Sequence, residues 1–111
     1  MTEPPPPDSC DLHPAAELDD VVHQRARLGV LAILAEAGTA EFTYLASRLG
    51  LTNGNLSKHM TVLEEAGMIA VEKRFHGRRP KTWLALTPTG RAALRREIAT
   101  LRAIVDGPVL P

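Results

Sequence analysis

The stretch LASRLGLTNGNLSKHM, residues 45–60, decides the fold. Leu45, Leu49, Leu51 and Leu56 straddle a glycine at position 50. That spacing suits two short helices meeting at an angle. Ala46 is small enough to let the helices approach, Gly50 supplies a left-handed turn, and the leucines fill the angle. Thr52 is placed to cap the second helix, over about 53–66, and Gly67 to close it. On that helix Leu56, Met60 and Leu63 share a face at i, i+4, i+7. Asn55, Lys58, Thr61, Val62 and Glu65 therefore project elsewhere. His59 stands where an apolar residue is usual, so Met60 is expected to fill that space with His59 at the edge.

Upstream, Leu28, Leu31, Ala32 and Ala35 recur at helical spacing and Gly38 follows, which predicts a helix over about 23–37. Gly29 inside it costs about 1 kcal/mol against alanine, so it marks a close helix–helix approach. Leu18–Val22 reads as either a helical turn or an arm. Thr39–Phe42 is a short strand candidate, and Thr43 is placed to cap a helix over Tyr44–Leu49. Downstream, Ile69 and Val71 alternate with Ala70 and Glu72 as in a strand. Phe75–Pro80 reads as a turn, and Lys81–Leu86 as the return strand. Thr87-Pro88 is a strong helix start, and Gly107-Pro108 stops that last helix, 88–106. The fold class is mainly α with a small β-hairpin (α+β). A three-helix core, a two-stranded wing and a C-terminal helix make a winged helix-turn-helix. Leu94, Ile98, Leu101 and Val105 repeat every four, three and four residues, a coiled-coil-like seam that predicts a dimer interface.

The chain has 111 residues, 44% hydrophobic and 23% charged, which suits one globular domain and excludes a wholly disordered or collagen-like chain. No apolar run is long enough for a membrane helix, and the start lacks a basic and then apolar leader. A cytoplasmic protein is expected, with no membrane partner. Residues 1–16 read as a disordered, acidic, proline-rich tail, in which Pro4–Pro7 form a stiff solvated run. The winged-helix domain is placed at 17–106, and 107–111 form a second tail. The net charge of +0 hides an asymmetry: residues 1–20 carry −6 and residues 48–96 carry +7. An acidic tail on a basic body points to nucleic acid.

The run LTNGNLSKHMTVLEEAGMI at 51–69, followed by a hairpin and LTPTGRAAL at 86–94, resembles small MarR-like and ArsR-like winged-helix transcriptional regulators of bacteria. The resemblance covers about residues 18–106. It implies double-stranded DNA binding by a homodimer, with the third helix in the major groove and the wing near the backbone or minor groove. Sequence-specific regulation, with repression as the expected mode, follows from it. Ten arginines against three lysines fit a GC-rich bacterial genome. On the matched helix, Thr52, Asn53, Asn55, Ser57, Lys58 and Thr61 fall on the amino half or outer face. Asn reads adenine bidentately, Lys reaches guanine or phosphate, and Ser and Thr hold phosphate. Gly54 leaves room for close backbone approach. In the wing, Lys73, Arg74, Arg78, Arg79 and Lys81 put five cations in nine residues without an interleaved acid. A solvated basic turn is the alternative reading of that cluster, and the lack of interleaved acids argues against it.

Other chemistry finds less support. ArsR-like relatives often carry metal-ligating cysteines, but Cys10-x-x-His13 is only a two-ligand fragment, and no metal or other cofactor is expected. Glu64 and Glu65 are neighbours on a helix and point apart, so they make no catalytic pair. No phosphate loop or catalytic triad is present, and no enzyme is expected. Trp83 suits hairpin packing better than base stacking. No small-molecule effector is assigned, and the chain is short for the helix-lined effector pocket of MarR-like proteins. The competing reading is a winged helix that binds protein and not DNA. Such a module has no need of a cationic wing.

Overall fold

The computed structural model describes residues 12–107. The elements run in the order 3-10 turn Pro14–Glu17, α1 Arg25–Ala37, β1 Thr39–Glu41, α2 Phe42–Leu49, α3 Asn53–Glu65, β2 Ile69–His76, β3 Arg79–Leu86 and α4 Pro88–Val105. The three strands form one antiparallel sheet in the order β1-β3-β2. This is the winged helix-turn-helix expected from the spacing, with the hairpin as its wing. The wing has a third strand at its base, because Ala40 pairs with Leu84 and brings the α1–α2 connection onto the sheet.

The core lies between the helices and the base of the sheet. Leu31 and Leu34 from α1, Leu45 from α2, Leu56 and Leu63 from α3, and Leu84 from β3 are fully buried there. Met60 and Leu49 pack against this cluster from the side. Gly50 has φ 65° and ψ 34°, the left-handed turn the motif requires. A Cβ on Gly29 would meet the Leu49 side chain at 2.5 Å, so α1 and α2 touch where the glycine predicted close approach. The Thr52 hydroxyl caps α3 by accepting the Asn55 N–H at 3.1 Å. Thr87 caps α4 through the Gly90 N–H and donates its own hydroxyl to the Gly67 carbonyl, tying the end of α3 to the start of α4.

The structure corrects several boundaries. Helix α1 begins at Arg25 rather than 23, because the Gln24 side chain accepts the Ala26 and Arg27 N–H groups and ends the preceding turn. Thr43 does not cap α2. The helix leaves β1 directly, Glu41 takes the cap position, and the Thr43 hydroxyl donates to the Glu41 carboxylate. Phe75–Pro80 is not a loose turn. The strands continue to His76 and from Arg79, closed by Gly77 (φ 66°) and Arg78, as in a two-residue hairpin. Pro80 opposite Phe75 falls at a non-hydrogen-bonded pair, so its missing N–H costs the ladder nothing. Within the span expected as a tail, Pro14–Glu17 forms its turn, and His13 Nδ1 accepts the Ala15 N–H there. The proline run, Cys10 and positions 108–111 lie outside the described residues.

The segment Leu18–Val22 proves to be an arm with a turn. The Asp19 carboxylate accepts the N–H groups of Val21 and Val22, and the Val22 side chain is fully buried. Glu97 of α4 anchors this arm. Its buried carboxylate accepts the Asp19 N–H at 3.0 Å and meets His23 Nδ1 at 3.1 Å. A polar group so buried needs such hydrogen-bond partners. Nothing in the local pattern around position 97 announces it.

Candidate nucleic-acid interface

Helix α3 buries Leu56 and Leu63 and leaves all six candidates, Thr52, Asn53, Asn55, Ser57, Lys58 and Thr61, exposed. They are not equivalent. At about 100° per residue, Ser57, Lys58 and Thr61 gather with Gly54 on the face opposite the core. Asn53 and Asn55 flank that face on opposite sides. Thr52 is committed to its cap, and the Thr61 hydroxyl donates to the Ser57 carbonyl at 3.0 Å. Among the described residues, no side-chain hydrogen bond engages Asn53, Asn55, Ser57 or Lys58. A Cβ on Gly54 would meet open space, so the backbone there is accessible.

The charge along α3 is polarised. Its amino end carries the positive pole of the helix and Lys58, whereas Glu64 and Glu65 stand exposed in the last turn. A polyanion is therefore attracted to the amino half and repelled from the carboxyl end.

The wing divides its five cations. Arg74 lies 5.3 Å from the Trp83 ring centroid and 3.2 Å from the Glu72 carboxylate. Lys81 reaches the Glu41 carboxylate at 3.7 Å. These two brace the sheet, and Trp83 is hairpin packing as expected. Among the described residues, Lys73, Arg78 and Arg79 form no ion pair and stand exposed around the tip. Arg74, Phe75, His76, Lys81 and Trp83 line a shallow cleft of about 210 Å³ on the wing.

Two groups escaped the sequence reading. On α2, Tyr44 and Arg48 stand exposed side by side, with Arg48 Nη1 donating to the Tyr44 hydroxyl at 2.8 Å. In a helix-turn-helix the first helix crosses the phosphate backbone, so Arg48 joins the candidate residues. Its i, i+4 spacing from Tyr44 was the available signal. Behind α3, Arg27 donates from Nε to the Val21 carbonyl at 2.6 Å and places Nη1 3.4 Å from His59 Nδ1. Burial, with the Arg27 and Lys58 charges beside it, holds the His59 pKa below its ordinary value of 6.5. A neutral imidazole accepts from Arg27; an imidazolium would be repelled by it. His59 thus sits at the edge, as read, but links α3 to the arm.

The seam on α4 is only partly free. Leu94 is buried in the chain's own core, because it shares the inward stripe with Gly90, Ala93 and Glu97. It is withdrawn from the expected dimer face. Ile98 and Val105 are exposed, at 38% and 80%, and Leu101 is half-buried between them.

The family model for the winged helix DNA-binding domain matches residues 26–105. The chain belongs to this family. The winged-helix chain is 39% identical over 72 residues to an uncharacterised protein of Methanocaldococcus jannaschii, covering 65% of this chain and 78% of that one. Its structure is similar to that of a transcriptional regulator homologue from Pyrococcus horikoshii, with TM-score 0.75 and 32% identity over 81% of this chain and 89% of the other. AbsC, a MarR family transcriptional regulator from Streptomyces coelicolor, is also similar. The TM-score is 0.58 at 25% identity, over 69% of this chain and 56% of that one. The chain is thus a winged-helix DNA-binding domain of the type found in transcriptional regulators. Among the described residues no helix is long and apolar enough to cross a membrane.

Proposed function

We propose that this winged-helix protein binds double-stranded DNA sequence-specifically as a homodimer and represses transcription by occupying its site. The observation that carries the reading is the polarity of α3. Hydrogen-bonding side chains and Lys58 crowd its exposed amino half, and its two acids are confined to the far end. Asn55 and Lys58, three residues apart, enter one groove from one face and read base edges. Arg48 and the tip cations Lys73, Arg78 and Arg79 hold phosphate. Ile98, Leu101 and Val105 supply an apolar stripe for a two-fold partner, which sets two such reading heads on one duplex.

The test is selection of duplexes from a random pool by the wild-type protein, followed by titration on the selected and a scrambled duplex. A sequence preference with affinity falling steeply as salt rises supports the reading. Binding without preference, or no salt dependence, overturns it. Retention of a protein partner without any DNA binding would favour the protein-interaction alternative.

A further inference from the structure

Phe75 is the most exposed aromatic side chain of the described residues, at 72%, and it stands two residues before the wing's turn. Nothing in the fold needs it there. The hairpin's buried residues, Ile69 and Leu84, lie at its base, and beyond them it has no core of its own. Yet the hairpin is stiff. It keeps ladder pairing out to His76 and Arg79, and Arg74 bridges Glu72 and Trp83 across it. A bulky apolar ring is therefore presented in a fixed place, on the same face of the hairpin as Lys73 and close to the turn that carries Arg78 and Arg79.

We propose that Phe75 is a specificity-determining residue that enters the DNA minor groove as an apolar wedge. The inference rests on the DNA-binding reading above. The reach is right: the strand from Val71 to His76 spans about 17 Å. That is half of the roughly 34 Å helical repeat, the distance by which a minor groove follows a major groove holding α3. The chemistry is right too. The surrounding cations draw in the two phosphate strands that wall the groove, while the ring has no hydrogen bonds to lose and gains deoxyribose and base-step surface. Wedging unstacks a base step, and flexible pyrimidine–purine steps such as TA yield most easily. Preference at that step comes from the deformation and not from a hydrogen bond.

The experiment uses duplexes selected by the wild-type protein, with 2-aminopurine at the step half a turn from the α3 footprint. Wild-type binding is expected to brighten the probe as the step unstacks. Phe75→Ala should abolish the brightening, weaken binding about tenfold, and lose the preference for TA over GC at that step. Phe75→Leu, still an apolar wedge, should keep most of each signal. The slope of affinity against salt should not change, because no phosphate contact is removed. The side chain is exposed, so circular dichroism of each variant should match the wild type. Wild-type affinity and unchanged brightening for Phe75→Ala would overturn the wedge alone. A wild-type protein with no sequence preference would overturn the DNA reading and the wedge with it.

Discussion

Gly90 shows how one atom decides a junction. A Cβ there would overlap the Met68 carbonyl, where the α3–β2 connection passes against the first turn of α4. Gly90→Ala should cost about 1–3 kcal/mol or more, read from the urea midpoint, although alanine is the better helix former. His59 makes a second prediction. Its folded-state pKa lies below the unfolded 6.5, so the unfolded chain takes up the proton first. The contribution is complete above pH 6.5 and is lost as pH falls through the folded value. Urea midpoints should drop on acidification by less in His59→Gln than in the wild type. For base reading, Asn55→Ala or Lys58→Ala should each cost about 1–3 kcal/mol on the selected duplex and much less on a scrambled one. Equal losses on both would show that α3 anchors and does not read. That Asn55 and Lys58 stand exposed on α3 was legible because caps and periodicity are local. The engagement of Thr61 with a helix carbonyl, and the hold of Arg27 on His59, were not.

At the scale of elements, the wing is where local reading stopped short. Alternation places Lys73 and Phe75 on one face of β2 and Arg74 and His76 on the other, but which cations are engaged depends on register. Glu72 faces Trp83, and Arg74 faces Lys81. Strands far apart in sequence, β1 and β3, then bring Glu41 to Lys81. The five basic residues therefore serve two purposes. Arg78→Ala and Arg79→Ala should each flatten the plot of log affinity against log salt by about one unit per lost phosphate contact, on selected and scrambled duplexes alike. Arg74→Ala should leave that slope nearly unchanged while loosening the hairpin. Paired salt titrations of the three variants check this, and a slope change for Arg74→Ala equal to the other two would contradict the division.

At the scale of the molecule, α4 faces two ways. Its inward stripe, Gly90, Ala93, Leu94, Glu97 and Thr100, belongs to the chain's own core. Ile98, Leu101 and Val105 lie along its border. Leu101→Glu should yield a monomer that keeps its helical circular dichroism, and light scattering distinguishes the two states. A wild-type protein that is itself monomeric in that measurement removes the dimer from the proposal. Glu97 adds a connection across the molecule: α4 holds the arm at Asp19 and His23, and the arm's Val21 holds Arg27, which abuts His59 on α3. The helix proposed for dimerisation is thereby linked by hydrogen bonds to the helix proposed for reading. By itself, the order of residues determined the helices, the turn at Gly50, the caps at Thr52 and Thr87, and the polarity of the third helix. Each of these follows from groups a few positions apart. Tertiary structure alone decided that Leu94 is core, that Glu97 is buried with an arm as its partner, that Arg74 and Lys81 brace the sheet, and that Phe75 stands bare. Those outcomes turn on which distant segments meet, and neither propensity nor periodicity carries that information.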